Sequence, residues 1–339
     1  MFLIIQNRPK NIKIHTDEAI LRRLPNNHPM RPKVIHDLAM WKAGLRGEEE
    51  VDYYLSFLPE KDFYIFQGIR LKYKDHIFQI DHLLLSPHLI LPLEVKNYLG
   101  TVTFNPKFSQ VTRELNGKED GFEDPIVQAK RHNYLLINWM KENKLPHIPV
   151  DFLVAFGKAT TILKNPTHSD EVYNKVCLAG NLLFKINELM TKYPKEILTP
   201  KDIKKWCNTL LKNHTPEQPS YSAFNIPHHE FIPGVQCPSC SAFRMERISG
   251  NWKCPFCNFT SKDAHIQALI DYFLLISPTI TNQQCQNFLH LPNQTIVSKL
   301  LAKTPLIPTG FRKDMVYSPR SFLIETFVQN PIAKIERRV

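Results

Sequence analysis

Apolar residues recur at helical spacing through residues 18 to 58, broken by the three prolines of "RLPNNHPMRP". The pattern predicts one helix before the break and a second from about Lys33 through "VIHDLAMWKAGLRGEEEVDYYLSFL". The period then changes. "FYIFQGIRL", "HIFQIDHLLLS", "LILPLEVKN", "GTVTF" and "SQVTREL" are short runs rich in β-branched and aromatic residues, and they predict strands. "DPIVQAKRHNYLLINWMKEN" predicts an amphipathic helix with Asp124 as N-cap and Pro125 in its first position. "VDFLVAF" and "VYNKVCLA" predict two more strands, and helices around 180–192 and 200–213 close the unit. Helix, strands, helix, strand is a mixed α/β pattern with its own core.

Residues 214–234, "HTPEQPSYSAFNIPHHEFIPG", hold four prolines and little periodicity, which marks a linker. A cysteine-bearing module (235–260) and a helical tail (263–339) follow. In the tail, "DAHIQALIDYFLLI", "TNQQCQNFLHL" and "NQTIVSKLLAKTPLI" predict three short helices, with Thr281 and Asn293 as N-caps, and "TGFRKDMVYSP" predicts a hairpin. Three helices and a β-wing resemble a winged helix-turn-helix. Its recognition helix would carry Asn293, Gln294, Thr295, Ser298 and Lys299. A protein-binding helical bundle accounts for the same apolar pattern.

Composition adds a basic balance, 43 Lys+Arg against 32 Asp+Glu for a net +11, which favours polyanions through counterion release. No apolar run approaches the roughly 20 residues that span a bilayer. The opening "MFLIIQNRPKNIKIH" turns from apolar to basic, the wrong order for a secretory signal, so the expectation is a cytoplasmic chain with no membrane partner. Of seven cysteines, Cys177, Cys207 and Cys285 stand alone in apolar or helical contexts. The other four form Cys237-x-x-Cys240 and Cys254-x-x-Cys257, two knuckles that together supply a tetrahedral thiolate site for Zn²⁺. With every position filled by thiolate, that zinc would be structural. The ribbon would either space its neighbours or present Arg244, Arg247, Trp252 and Lys253 to nucleic acid.

The remaining chemistry lies in "FQIDHLLLSPHLILPLEVKN" (78–97). Folded as a hairpin about Pro87–His88, facing residues sum to 175, so Asp81 lies across from Glu94. Directly opposed side chains have Cβ atoms about 4.5–5.5 Å apart. Glu94 and Lys96 share one face, as do Gln79 and Asp81. Two carboxylates that close repel each other unless a cation sits between them, and Mg²⁺ is commonly bound through one or two carboxylates plus waters and phosphate oxygens. A solvated strand face with a Glu–Lys pair explains the same residues without chemistry. Pro92, on the face of Glu94, suits an edge strand or a bulge.

An acid, a turn and then Glu-x-Lys near a strand end resemble the PD-(D/E)xK nuclease core. Residues 41–140 more specifically resemble the nuclease-related domain known as NERD, through "GLRGEEEV" (44–51), "QIDHLLLS" (79–86), "LEVKNYLG" (93–100) and "DPIVQAKRH" (124–132). The resemblance implies a restriction-endonuclease-like α/β fold, a mixed sheet flanked by helices, and a metal-dependent phosphodiesterase. Asp81 and Glu94 would hold Mg²⁺ or Mn²⁺ and Lys96 would assist catalysis. Glu48 matches the family's upstream acid, and Gln79 and Gln128 match its recurrent glutamines. His82 should point away from Asp81, and Glu49 and Glu50 read as solvated helix residues.

The expected organisation is a helical extension (1–40), a nuclease-like domain with a helical extension (41–213), the linker (214–234), a Cys₄ ribbon (235–260) and a winged-helix-like domain (263–339). The leading expectation is a Mg²⁺-dependent nuclease with DNA as its substrate, docked by ribbon and tail. The alternatives are a non-catalytic DNA-binding or regulatory protein that keeps the fold, and a protein-interaction scaffold.

Overall fold

The computed structural model describes residues 3–59, 62–221, 223–311 and 314–319. In chain order its elements are β1 (Leu3–Gln6), α1 (Ile12–Arg23), α2 (Arg31–Leu55), β2 (Tyr64–Tyr73), β3 (His76–Leu85), β4 (Ile90–Lys96), β5 (Thr101–Asn105), β6 (Gln110–Leu115), β7 (Lys118–Glu123) and α3 (Pro125–Glu142). There follow β8 (Leu153–Phe156), β9 (Ile162–Lys164), α4 (Asp170–Lys175), β10 (Val176–Leu178), α5 (Leu182–Lys192) and α6 (Pro200–Asn213). The last part holds β11 (Glu246–Ile248), β12 (Asn251–Lys253), β13 (Thr260–Ser261), α7 (Ala264–Leu275), β14 (Ile280–Thr281), α8 (Asn282–Leu289), α9 (Gln294–Lys303), β15 (Leu306–Thr309) and β16 (Val316–Pro319). No helix among the described residues is long and apolar enough to cross a membrane.

The chain divides into two compact units, Met1–Pro9 with Lys42–Glu217, and Lys10–Trp41 with Gln218–Val339. The stretch 1–40, expected as one extension, is therefore shared between them. The expected 263–339 tail runs past the described residues, which end at 319.

The first unit is mixed α/β. A six-stranded sheet runs β1-β2-β3-β4-β8-β10, with β2, β3 and β4 antiparallel and the β4-β8-β10 and β1-β2 pairs parallel. Leu83, Leu85 and Ile90 pack with Leu136 and Trp139 of α3 and with Trp206 and Leu210 of α6. Leu84, Leu91, Leu93 and Leu153 pack on the other face with Val51 and Leu55 of α2 and with Leu182 and Ile186 of α5. Each large apolar side chain buried this way contributes about 1.5–3 kcal/mol, so both faces are held. A second sheet, β7-β6-β5-β9, buries Val102, Phe104 and Val111 against Val154 and Phe156 of β8 and Ile126 and Ala129 of α3.

Three strands carry no period-two signal. β1 lies in "MFLIIQNR", β7 reads "KEDGFE" with no buried position, and β9 has only three residues. "VYNKVCLA", expected to be a strand, is α4 in its first half and β10 in its second.

The hairpin register is the expected one, His82 opposite Leu93 and Leu85 opposite Ile90. Pro92, however, sits in a central strand. Its ring removes a donor, and the ladder from β4 to the β8 side breaks there, with a bridge at Ile90–Val150 and no further pair until Leu93–Leu153.

In the second unit, α1 and α7 bury Ile20, Leu24, Ile270 and Leu274 against each other. Asp271, fully buried, receives the guanidinium of Arg23 at 2.8 Å and that of Arg22 at 3.3 Å. The cysteine hairpins and α7–α9 share one core, in which Cys237, Trp252 and Cys254 pack with Leu269, Phe273 and Leu301.

Candidate active site and metal centre

The β2-β3-β4 sheet opens at one place. The β2-β3 ladder pairs Gln67 with His82 and Ile69 with Ile80 but skips Gly68 and Asp81, and the β3-β4 ladder ends at His82–Leu93. Gly68 takes φ +60°, the left-handed region where a side chain is disfavoured. Ile80 and Leu83 both join the α3 core although they are three apart, so the alternation of faces is reset across Asp81. The Asp81 carboxylate fills part of the gap, since the Val95 amide donates to its Oδ2 at 2.9 Å.

Glu94 is buried at the edge of this opening, and its carboxylate faces α3. Lys96 Nζ donates to Glu94 Oε1 at 2.7 Å and to Gln128 Oε1 at 2.9 Å. His132 Nδ1 lies 3.5 Å from Glu94 Oε2. Gln128 and His132 are four apart on α3, so one helix face supplies both contacts. Glu48 comes from α2, where Arg8 Nε donates to its Oε2 at 2.5 Å.

The electrostatics are uneven. Burial, then the charges of Glu94 and Glu48, push the Asp81 carboxyl well above the ordinary aspartate range. Burial pulls Glu94 the same way, but contacts from His132 and Lys96 outweigh it and hold the group below its usual value. Burial works against the Lys96 ammonium, and the Glu94 carboxylate reverses that and raises it. Burial also raises Glu48, against the opposing charge of Arg8. The site thus carries more negative charge than Lys96 and Arg8 comfortably neutralise. The unmet demand falls on Asp81 and Glu48, since Glu94 is matched by Lys96 and His132, and carboxylates of this kind are oxygen donors that a divalent cation takes.

The expected residues are not equally placed. Glu94, Lys96 and Gln128 are joined by hydrogen bonds, whereas Asp81 is held by the Val95 amide and feels the charges of Glu94 and Glu48. Gln79 is exposed on β3 opposite Arg70, with no hydrogen bond to the others among the described residues. The reset at Asp81 explains this, because strict alternation no longer carries Gln79 to the face of Asp81. His82 points elsewhere, fully buried with Nε2 2.6 Å from Asp52 Oδ1. Glu49 and Glu50 are exposed. Two contributors went unread in the sequence. His132 could have been found from its i+4 spacing to Gln128, whereas Arg8 gave no local signal.

A pair of glycines sets α2 against the strand ends. A Cβ on Gly157, just past β8, would lie 2.9 Å from Gly47 Cα, and one on Gly47 would lie 2.5 Å from Asn97 Cβ. Asn97 Nδ2 also donates to the Ala43 carbonyl at 2.6 Å. Gly47 precedes Glu48, so this backbone contact fixes where that acid enters.

In the second unit the ligand atoms of Cys237, Cys240, Cys254 and Cys257 all lie within 4.8 Å of one another. The Cys237–Cys257 and Cys240–Cys254 sulfurs are each 3.6 Å apart. Four thiolates at about 2.3 Å from a central zinc would sit roughly 3.8 Å apart, so this group can hold a metal such as zinc. Trp252 is not displayed as expected. It is buried, with Nε1 donating to His265 Nδ1 at 3.1 Å and its ring under the Arg247 guanidinium, because the ribbon shares its core with α7. Gln294, Thr295 and Lys299 of α9 are exposed, whereas Asn293 caps the helix through Ile296 N and Ser298 accepts from Asn282.

The first unit thus sets an acid at an open rung of a mixed α/β sheet, with Glu-x-Lys on the next strand. Residues 43–157 match the family model described as NERD, the nuclease-related domain, and the chain carries that domain there. An uncharacterized protein of Bacillus anthracis is 28% identical over 186 residues, covering 54% of this chain and 82% of that protein. No solved structure matches.

Proposed function

We propose that the first unit is a Mg²⁺- or Mn²⁺-dependent phosphodiesterase whose substrate is DNA. The observation that carries this reading is the open rung, where Asp81 accepts from the amide of Val95, the residue next to Glu94, and Lys96 bonds Glu94. Asp81 and Glu94 would hold the cation, with Glu48 beside them. When bound, the cation supplies Lewis-acid charge to the phosphate and makes a water more acidic. Lys96 places an ammonium where negative charge grows on the phosphate, a contribution of the oxyanion-hole kind. Gln128 holds that ammonium in place, and His132 braces the second oxygen of Glu94. The basic balance of +11 favours a polyanionic substrate.

The cysteine hairpins are proposed to hold structural Zn²⁺. The order α7, β14, α8, α9, β15, β16, with β16 between β14 and β15, supports a winged-helix docking module whose α9 offers Gln294, Thr295 and Lys299 to the duplex.

The test is cleavage of supercoiled plasmid with Mg²⁺ or Mn²⁺ by the wild-type chain and by Asp81→Ala and Glu94→Ala. Cutting by wild type that falls at least about a thousandfold in both variants is expected. Unchanged cutting by both would remove the site from the reaction. Salt-sensitive gel shifts with no cutting under any metal would favour a DNA-binding protein that keeps the nuclease fold.

A further inference from the structure

Arg8 lies outside the matched domain and ahead of the first helix, yet it is largely buried against the candidate site. Its guanidinium is divided three ways. Nε donates to Glu48 Oε2 at 2.5 Å, Nη1 to Asp52 Oδ2 at 2.7 Å, and Nη2 lies 3.1 Å from His82 Nε2. The backbone is held as well, since Arg8 N donates to Gln67 Oε1 at 3.0 Å. Gln67 in turn donates to Asp52 Oδ1 at 2.7 Å. The strand beneath is shaped for the arm: a Cβ on Gly68 would lie 3.0 Å from Pro9 Cδ. Every anchor of Arg8 thus comes from α2, β2 or β3, and none leaves the side chain free to swing.

We infer that the N-terminal arm is part of the cation site, with Arg8 the positioning residue that holds Glu48 for a divalent cation. The inference rests on the proposed function and deepens it. Arg8 occupies Oε2 of Glu48, and among the described residues no hydrogen bond or ion pair claims Oε1. Its charge offsets Glu48 and Asp52 at the same time, which eases but does not cancel the repulsion between Glu48 and Asp81. Only a planar fork reaches Glu48 and Asp52 together, so lysine is a partial replacement. Residues that orient a ligand in this way are worth about 10–100-fold in metal affinity.

The experiment is Mn²⁺ binding to the full-length chain, with zinc supplied beforehand, read from the electron paramagnetic resonance signal of free Mn²⁺. Wild type, Arg8→Met, Arg8→Lys, Glu48→Gln and the Arg8→Met/Glu48→Gln double variant are compared, and thermal melts establish that each is folded. Arg8→Met should weaken Mn²⁺ binding about tenfold or more. Arg8→Lys should fall between it and wild type, and it reads the same quantity if the methionine variant does not fold. In the Glu48→Gln background, Arg8→Met should change nothing further. Cleavage by Arg8→Met should recover towards the wild-type rate at saturating Mn²⁺. If wild type binds Mn²⁺ and Arg8→Met binds it equally well, or if the loss persists undiminished in the Glu48→Gln background, the inference is overturned and the proposed function stands. If wild type neither binds Mn²⁺ nor cuts DNA, the proposed function falls and this inference falls with it.

Discussion

Asp81 accepts a hydrogen bond from the backbone amide of Val95, so a side chain takes the place of a rung between two strands. The acid is held at its base while its second oxygen stays unclaimed among the described residues.

This placement costs the cation-free fold. Burial and the neighbouring carboxylates raise the Asp81 pKa, so the folded chain keeps that proton to higher pH than the unfolded chain does. Stability is therefore unaffected below the ordinary aspartate range, near about 4, and is lost as pH rises from there through the folded value. Asp81→Asn should raise the melting temperature of the chain in EDTA at pH 7.5 by about 2–4 °C, with the gap closing towards pH 4. A variant that melts below wild type across this range would contradict the placement.

Gln128 and His132 do not carry the charge, but they fix the groups that do. Gln128→Ala and His132→Ala should each lower the cleavage rate at saturating cation by roughly tenfold, against far larger losses for Asp81→Ala and Glu94→Ala. Rates matching wild type in both would mean that Lys96 and Glu94 need no support from α3.

The cysteine hairpins share their core with α7, α8 and α9, so metal loss should not stay local. Cys254→Ser should abolish one equivalent of bound zinc per chain, measured by atomic absorption, and should expose Trp252 to solvent, read as a red shift of its fluorescence. Zinc content unchanged by Cys254→Ser would exclude the four-thiolate site.

Gly47 and Gly157 touch backbone to backbone, and neither tolerates a side chain without movement. Gly157→Ala should destabilise the first unit by about 1–3 kcal/mol, measured by urea titration. The displaced α2 would carry Glu48 with it, so cation affinity should drop together with stability.

How much of this was legible in the sequence depended on whether a signal was local. The hairpin register, with His82 opposite Leu93, followed from counting residues about Pro87–His88, and the zinc-type cluster followed from cysteine spacing alone. Gln79 was misplaced because alternation assumes an unbroken strand, whereas Gly68 and Asp81 reset it. β7, "KEDGFE", pairs through its backbone with almost no apolar pattern, so no periodicity could have announced it. Trp252 looked like a surface aromatic because nothing in its own neighbourhood reveals the helix that covers it. Arg8 was silent for the same reason, since its partners lie 40 residues or more along the chain.

Pro92 has one more consequence. Ser86 N bonds to the Leu89 carbonyl, and alternation from that rung places Leu91 and Leu93, not Pro92, with their donors toward β3. A slip of one residue would turn the proline toward β3, where a donor is needed and none exists. The same slip would part Asp81 from Glu94. The proline thus acts as an error check on the hairpin: a misthreaded strand loses a rung at the very step that would scatter the acids.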